Sequence, residues 1–166
     1  EVLSYEHINL VVKGEGEYVL PELYRCIKNG KDFTHIGSIS YKKEGKIVDN
    51  ARLPIINDLD ALPPFPYHLF NPKHYDMGIV YSSRGCPYDC IFCSNTLASG
   101  RIYRFRETEA IIDDIDKLYT NYGVKFININ DDNFLVNKKR IYQLLEGIRN
   151  KGFDKKITFD FQARGD

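Results

Sequence analysis

Cys86, Cys90 and Cys93 fall within eight residues, in the run Ser83-Arg84-Gly85-Cys86-Pro87-Tyr88-Asp89-Cys90-Ile91-Phe92-Cys93-Ser94, and this spacing restricts the chain more than any other feature of it. A disulfide framework would spread its cysteines along the sequence. Three thiols this close point instead to metal or redox use in a reducing compartment. Thiolates spaced three and then two residues apart can converge on one iron–sulfur cluster. A four-iron cluster held by three cysteines leaves one iron without a protein ligand, open to a substrate or cofactor. Gly85 and Pro87 suit a tight wrap of backbone around such a group. A structural zinc site competes with this reading, but it takes four ligands. The remaining candidates, Cys26, His68 and His74, lie in or before a proline-rich linker. A ferredoxin-type carrier competes as well. It would bring a fourth cysteine nearby, and none follows Cys93.

The length of 166 residues suits one ordinary domain or two partial ones. Hydrophobic content of 43% and charged content of 28% are those of a soluble globular protein. The formal net charge is zero, so no global field draws the chain to nucleic acid or an anionic membrane. Arg101, Arg104 and Arg106 read as a solvated basic run. No apolar stretch approaches the roughly 20 residues of a bilayer span. No signal peptide is visible, and both ends read as cut: the chain opens mid-unit and stops at Arg164-Gly165-Asp166, just after a strand.

Hydrophobic patterning predicts an α/β protein. Ile8–Val12 reads as a buried strand, Gly14-Glu15-Gly16-Glu17 as a turn, and the following residues as a helix to about Asn29 with Leu20, Leu23 and Ile27 on one face. Residues 34–48 read as a hairpin turning at Glu44-Gly45. Pro54, Pro63, Pro64, Pro66 and Pro72 then mark a stiff linker, which places a domain boundary near residue 70. A second run begins at Met77: a strand over 78–81, the cysteine loop, a helix over 108–121 capped by Thr108, a strand over 124–129 and a helix over about 137–151 capped by Asn137. A strand over 157–161 closes it. The order β-α-β-α-β implies a parallel sheet.

The run from Arg84 to Cys93 resembles the radical S-adenosylmethionine (SAM) superfamily, whose signature is C-x3-C-x-aromatic-C, with Phe92 at the aromatic position. Arg104-Phe105-Arg106, Asp131-Asp132-Asn133-Phe134, Gly14-Glu15-Gly16-Glu17 and the connector Asp58-Leu59-Asp60-Ala61-Leu62-Pro63 are similar to the branch with an N-terminal cobalamin-binding domain. The resemblance implies that residues 1–30 are the end of a Rossmann-like cobalamin domain and 31–76 a hairpin and linker. Residues 77–166 would be the first half of a partial (β/α)6 TIM-like barrel. It implies a 4Fe–4S cluster on Cys86, Cys90 and Cys93 whose open iron is chelated by SAM. One electron would cleave SAM to a 5′-deoxyadenosyl radical, and the outcome would be methyl transfer, rearrangement or cyclisation. A reducing donor such as a flavodoxin or ferredoxin and a cytoplasmic, reducing or anaerobic setting follow from that chemistry.

Around the cluster the resemblance and the predicted sheet edge point to the same residues. Asp131 and Asp132 lie at the C-terminal end of a predicted parallel strand, where ligand sites gather. They stand where the family often has a Gly-Gly-Glu-type motif that meets the amino group of SAM; the competing reading is an ordinary turn. Arg164 lies on the same edge and suits the SAM carboxylate, against a plain surface arginine. Phe92 packs near the adenine or serves structure alone. Gly14, Glu15 and Gly16 would face the nucleotide tail of cobalamin, against a tight strand-to-helix turn. They do not make a dinucleotide fingerprint, because its third glycine would fall at Val19. From a different class, an iron–sulfur electron-transfer or scaffold module without SAM chemistry remains the alternative.

Overall fold

The computed structural model describes residues 1–95 and 99–165. The chain divides into two compact units between Ile56 and Asn57. The division thus falls between Pro54 and Pro63, ahead of the boundary expected near residue 70. The reason lies in where the proline segment packs. Tyr67 is buried in the core of the second unit and donates its hydroxyl to the Ile79 carbonyl at 2.8 Å. Burial pushes its phenol above the ordinary tyrosine value. Phe65 and Phe70 stack beside it.

In the first unit, β1 (Leu10–Val12), β2 (Ile39–Lys43) and β3 (Lys46–Asp49) form an antiparallel sheet in the order β1-β2-β3. The predicted hairpin is present. Glu44 and Gly45 both have positive φ, 51° and 75°, the twist that two-residue hairpin turns favour. The hairpin is no free linker: Leu10 pairs with Tyr41 and Val12 with Ile39. Consequently β1 is half-buried, where the apolar run Ile8–Val12 suggested full burial. The helix α1 (Val19–Lys28) covers the sheet with Val19, Leu23 and Cys26. Leu20 and Ile27, predicted on the core face, are exposed; the true stripe is set one residue back, at i, i+4 and i+7. Lys13 and Ser40 both bind the Asp49 carboxylate, and the Lys13 ammonium holds that carboxyl below its usual range.

In the second unit, β4 (Ile79–Val80), β7 (Phe126–Ile129) and β8 (Thr158–Phe161) form a parallel sheet in the order β4-β7-β8, as the alternating pattern predicted. A short antiparallel ladder joins β5 (Ser83–Arg84) to β6 (Arg104–Phe105). The helix α2 (Thr108–Tyr122) buries Ile111, Ile115 and Leu118 completely, each worth about 1.5–3 kcal/mol relative to exposure. Thr108 does not cap it. The helix begins at Thr108 itself, and Asp60 accepts from the Glu107 N–H at 2.7 Å just ahead of it. Gly123, at φ 67°, ends it in the left-handed conformation that glycine tolerates. The helix α3 (Lys138–Asn150) is capped by Asn137, whose side chain accepts from the Arg140 N–H. It buries Ile141, Leu144 and Ile148 and leaves Leu145 exposed. Gly78 is obligatory: a Cβ there would lie 2.1 Å from the Phe126 carbonyl oxygen on the neighbouring strand. No helix among the described residues is long and apolar enough to cross a membrane.

Candidate metal centre

The parallel strands bring three chain segments to one edge: 81–85 after β4, 130–134 after β7 and 162–164 after β8. The cysteine loop leaves the sheet through the first of these. Its base is closed by the β5–β6 ladder and by the Arg106 N–H donating to the Ser82 carbonyl at 3.0 Å. Gly85 follows the β5–β6 ladder and lies against the Ile102 backbone. Its φ is +81°, and a Cβ would lie 2.1 Å from the Ile102 carbonyl oxygen, so both conformation and space demand glycine.

Asp131 is buried, at 2% exposure, with its carboxylate turned inward. It accepts from the N–H groups of Ser82 and Ser83 at 2.8 and 2.9 Å and from their hydroxyls at 2.5 and 2.6 Å. Arg140, also buried, lies 3.6 Å from the same carboxylate and donates to the Ser82 Oγ at 2.9 Å. Its guanidinium lies over the rings of Phe105 and Phe134. Asp132 is exposed and accepts from the Gly85 N–H at 2.8 Å. Asn133 is buried, its amide nitrogen 4.0 Å from the Cys86 sulfur and its Oδ1 without a hydrogen-bond partner.

The three cysteines are free thiols, Cys86 and Cys90 half-buried and Cys93 exposed. The Cys93 N–H donates to the Cys90 carbonyl at 3.0 Å, and Asp89 pairs with Arg101 across the loop. Arg164 donates to the Cys90 sulfur at 3.7 Å and lies 4.1 Å over the Tyr88 ring. It therefore meets the loop itself. Phe92 and Ile91 are almost wholly exposed, at 89% and 104%. Among the described residues no three Cys, His, Asp or Glu side chains close on a single-ion point. The unpartnered Asn133 Oδ1 beside Cys86, the donors on two of the sulfurs and the bare apolar rim are all consistent with a bulky resident group.

The remaining predicted positions lie elsewhere. Gly14, Glu15 and Gly16 belong to the first unit, where Gly14 has φ +80° and Glu15 accepts from the Ile56 N–H at 2.7 Å. The basic run is no surface patch: Arg104 is buried, Arg106 pairs with Asp114 at 2.8 Å and Asp60 at 3.3 Å, and Arg101 takes Asp89. Sequence reasoning gave no role to Ser82, Ser83, Asn133 or Arg140, although Ser83 and Asn133 stood in the quoted motif runs. Their signal was adjacency, Ser83 to the cysteine loop and Asn133 to the two aspartates.

The model of the radical SAM superfamily matches residues 80–165, from β4 through the strand-edge arginine. The chain belongs to the radical SAM superfamily. Among curated relatives, an uncharacterized methyltransferase of Pyrococcus horikoshii is 36% identical over 152 residues, covering 89% of this chain and 33% of the relative. The anaerobic magnesium-protoporphyrin IX monomethyl ester cyclase of Cereibacter sphaeroides is 28% identical, with 95% of this chain and 27% of the cyclase covered. The chain thus spans a third or less of the length of these curated relatives. Among solved structures, the cobalamin-dependent SAM radical enzyme OxsB with aqua-cobalamin and SAM bound superposes with a TM-score of 0.72 at 26% identity, covering 93% of this chain and 23% of that one. The SAM methyltransferase TsrM of Kitasatospora setae, with cobalamin and a 4Fe–4S cluster bound, shares the fold at a TM-score of 0.71 and 19% identity, covering 95% of this chain and 34% of that one.

Proposed function

We propose that this chain is the cluster-holding part of a cobalamin-dependent radical SAM enzyme that carries out methyl transfer or a radical rearrangement or cyclisation. The observation that carries the reading is the free Cys86/Cys90/Cys93 triad on a loop clamped at the C-terminal edge of a parallel sheet. With a 4Fe–4S cluster and SAM bound there, the site supplies one-electron reductive cleavage of SAM to a 5′-deoxyadenosyl radical. The chain's own residues bind and orient. Cys86, Cys90 and Cys93 anchor the cluster. Phe92 offers an apolar face to the adenine, and Arg164, already at the loop, offers a guanidinium to the SAM carboxylate. Asp132, exposed on the same edge, offers an acceptor to the SAM ammonium. Asp131, its carboxylate filled by four donors, sets the edge from behind. In this reading residues 1–30 close a Rossmann-like cobalamin domain with Gly14, Glu15 and Gly16 toward the cofactor, the hairpin within 31–76 extends the sheet of β1, and 77–166 begin a partial (β/α)6 barrel. A reducing donor such as a flavodoxin or ferredoxin, in a reducing cytoplasm, completes the system.

The test is anaerobic reconstitution of the full-length protein. The reading expects four irons and four sulfides on the three cysteines, an EPR signal that changes on adding SAM, and 5′-deoxyadenosine or S-adenosylhomocysteine under reduction. A cluster whose spectrum ignores SAM, with neither product formed, would instead make the protein an electron-transfer or scaffold module.

A further inference from the structure

The segment after β7 grips the cysteine loop with three consecutive residues, in step along it. Asp131 takes Ser82 and Ser83, Asp132 takes the Gly85 N–H, and Asn133 reaches the Cys86 sulfur. The Asn133 side chain is 3% exposed, and its oxygen has no hydrogen-bond partner. Chemistry fixes which way the amide faces. Turned over, it would set a carbonyl oxygen, an acceptor, against the lone pairs of a thiolate; as placed, it offers an N–H.

We propose that Asp131, Asp132 and Asn133 form one clasp on the cysteine loop, in which both aspartates position the loop, Asp132 in addition to its contact with SAM, and the Asn133 amide donates an N–H···S bond to the Cys86 thiolate. The inference rests on Cys86 being a cluster ligand. A donor to a ligand sulfur stabilises the electron-rich reduced form, so it raises the reduction potential of the cluster. Asn133 thereby eases the delivery of the electron on which SAM cleavage depends. The two aspartates hold the loop in the register that brings Cys86 to that amide.

The full-length protein, reconstituted anaerobically, is titrated by EPR before SAM is added. In Asn133→Ala the midpoint potential is expected to shift negative, with iron and sulfide per chain as in the wild type. Asn133→Gln, which keeps the donor, is expected to recover part of the shift. An unchanged potential in Asn133→Ala overturns the proposal. Should Asn133→Ala take up no cluster, the proposal requires Asn133→Gln to take it up, and failure of both overturns it. Asp132→Ala is expected to lose iron per chain while its far-UV circular dichroism matches the wild type; full iron there overturns the clasp. A wild type that binds no four-iron cluster strikes the reading of Cys86 itself, a separate failure.

Discussion

Ser82, Ser83 and Gly85, where the cysteine loop leaves the sheet, are buried and held from several sides, whereas Tyr88, Ile91 and Phe92 at its rim stand exposed. The stem is built from backbone and side-chain donors closing on one buried carboxylate. The rim has an ion pair, Asp89 to Arg101, and a guanidinium lying over Tyr88. Polar satisfaction of this kind rigidifies a site; bare apolar side chains leave surface for another group to cover. The contrast teaches that the chain itself determines where the loop starts, and that whatever the loop holds must finish the rim.

Removing a thiol tests that contrast most severely. Cys86→Ala, Cys90→Ala or Cys93→Ala is expected to abolish the reconstituted cluster signal and all SAM cleavage while the fold persists, as read by iron analysis and circular dichroism. Collapse of the fold would show the rim to be structural after all. In the stem, Gly85→Ala combines a left-handed φ with a backbone clash and is expected to cost about 3 kcal/mol in denaturant unfolding, together with most of the cluster. Asp131→Ala leaves Arg140 and the two serines without their buried partner and is expected to destabilise by about 3 kcal/mol. A loss under 1 kcal/mol, within ordinary surface scatter, would mean that the buried network does not hold the stem.

The rim should behave in the opposite way. Phe92→Ala is expected to leave stability within about 0.5 kcal/mol yet weaken SAM binding about tenfold, near the upper end for one aromatic contact. Equal losses in both would erase the difference between stem and rim. The smallest effect lies away from the loop. Lys151 donates to Asp116 at 2.8 Å and clips α3 to α2. The Lys151 hydrogen bond holds the Asp116 carboxyl below its ordinary value, and Asp116 in turn pushes the Lys151 ammonium up. The Asp116 contribution is present above the unfolded carboxylate value and lost as pH falls through its lowered folded value. The Lys151 contribution is full below the unfolded lysine value and lost as pH rises through its raised folded value. Lys151→Gln should therefore lower Tm slightly at neutral pH, with the difference vanishing in acid, and leave cluster uptake unchanged.

The sequence by itself determined the local elements and the chemistry. The period of Ile111, Ile115 and Leu118 dictates a helix whatever surrounds it, and so does the Asn137 cap. Three thiols at this spacing have few partners other than a cluster. Alternation of strand and helix fixed a parallel sheet, because a crossover helix returns the chain in the same direction. What required the tertiary structure was every decision between distant segments. The prolines marked a stiff stretch, but only the packing of Tyr67, bonded to the Ile79 carbonyl in β4, assigned the part from Asn57 onward to the second unit. The hairpin was legible; its pairing with β1 was not, since a strand does not name its neighbour. The two aspartates looked alike in sequence, and the fold separated them by burying Asp131 against Ser82 and Ser83, 49 and 48 residues earlier, while Asp132 stayed exposed. Such pairings depend on which strand ends lie side by side, a property of the assembled sheet that no local pattern of residues carries.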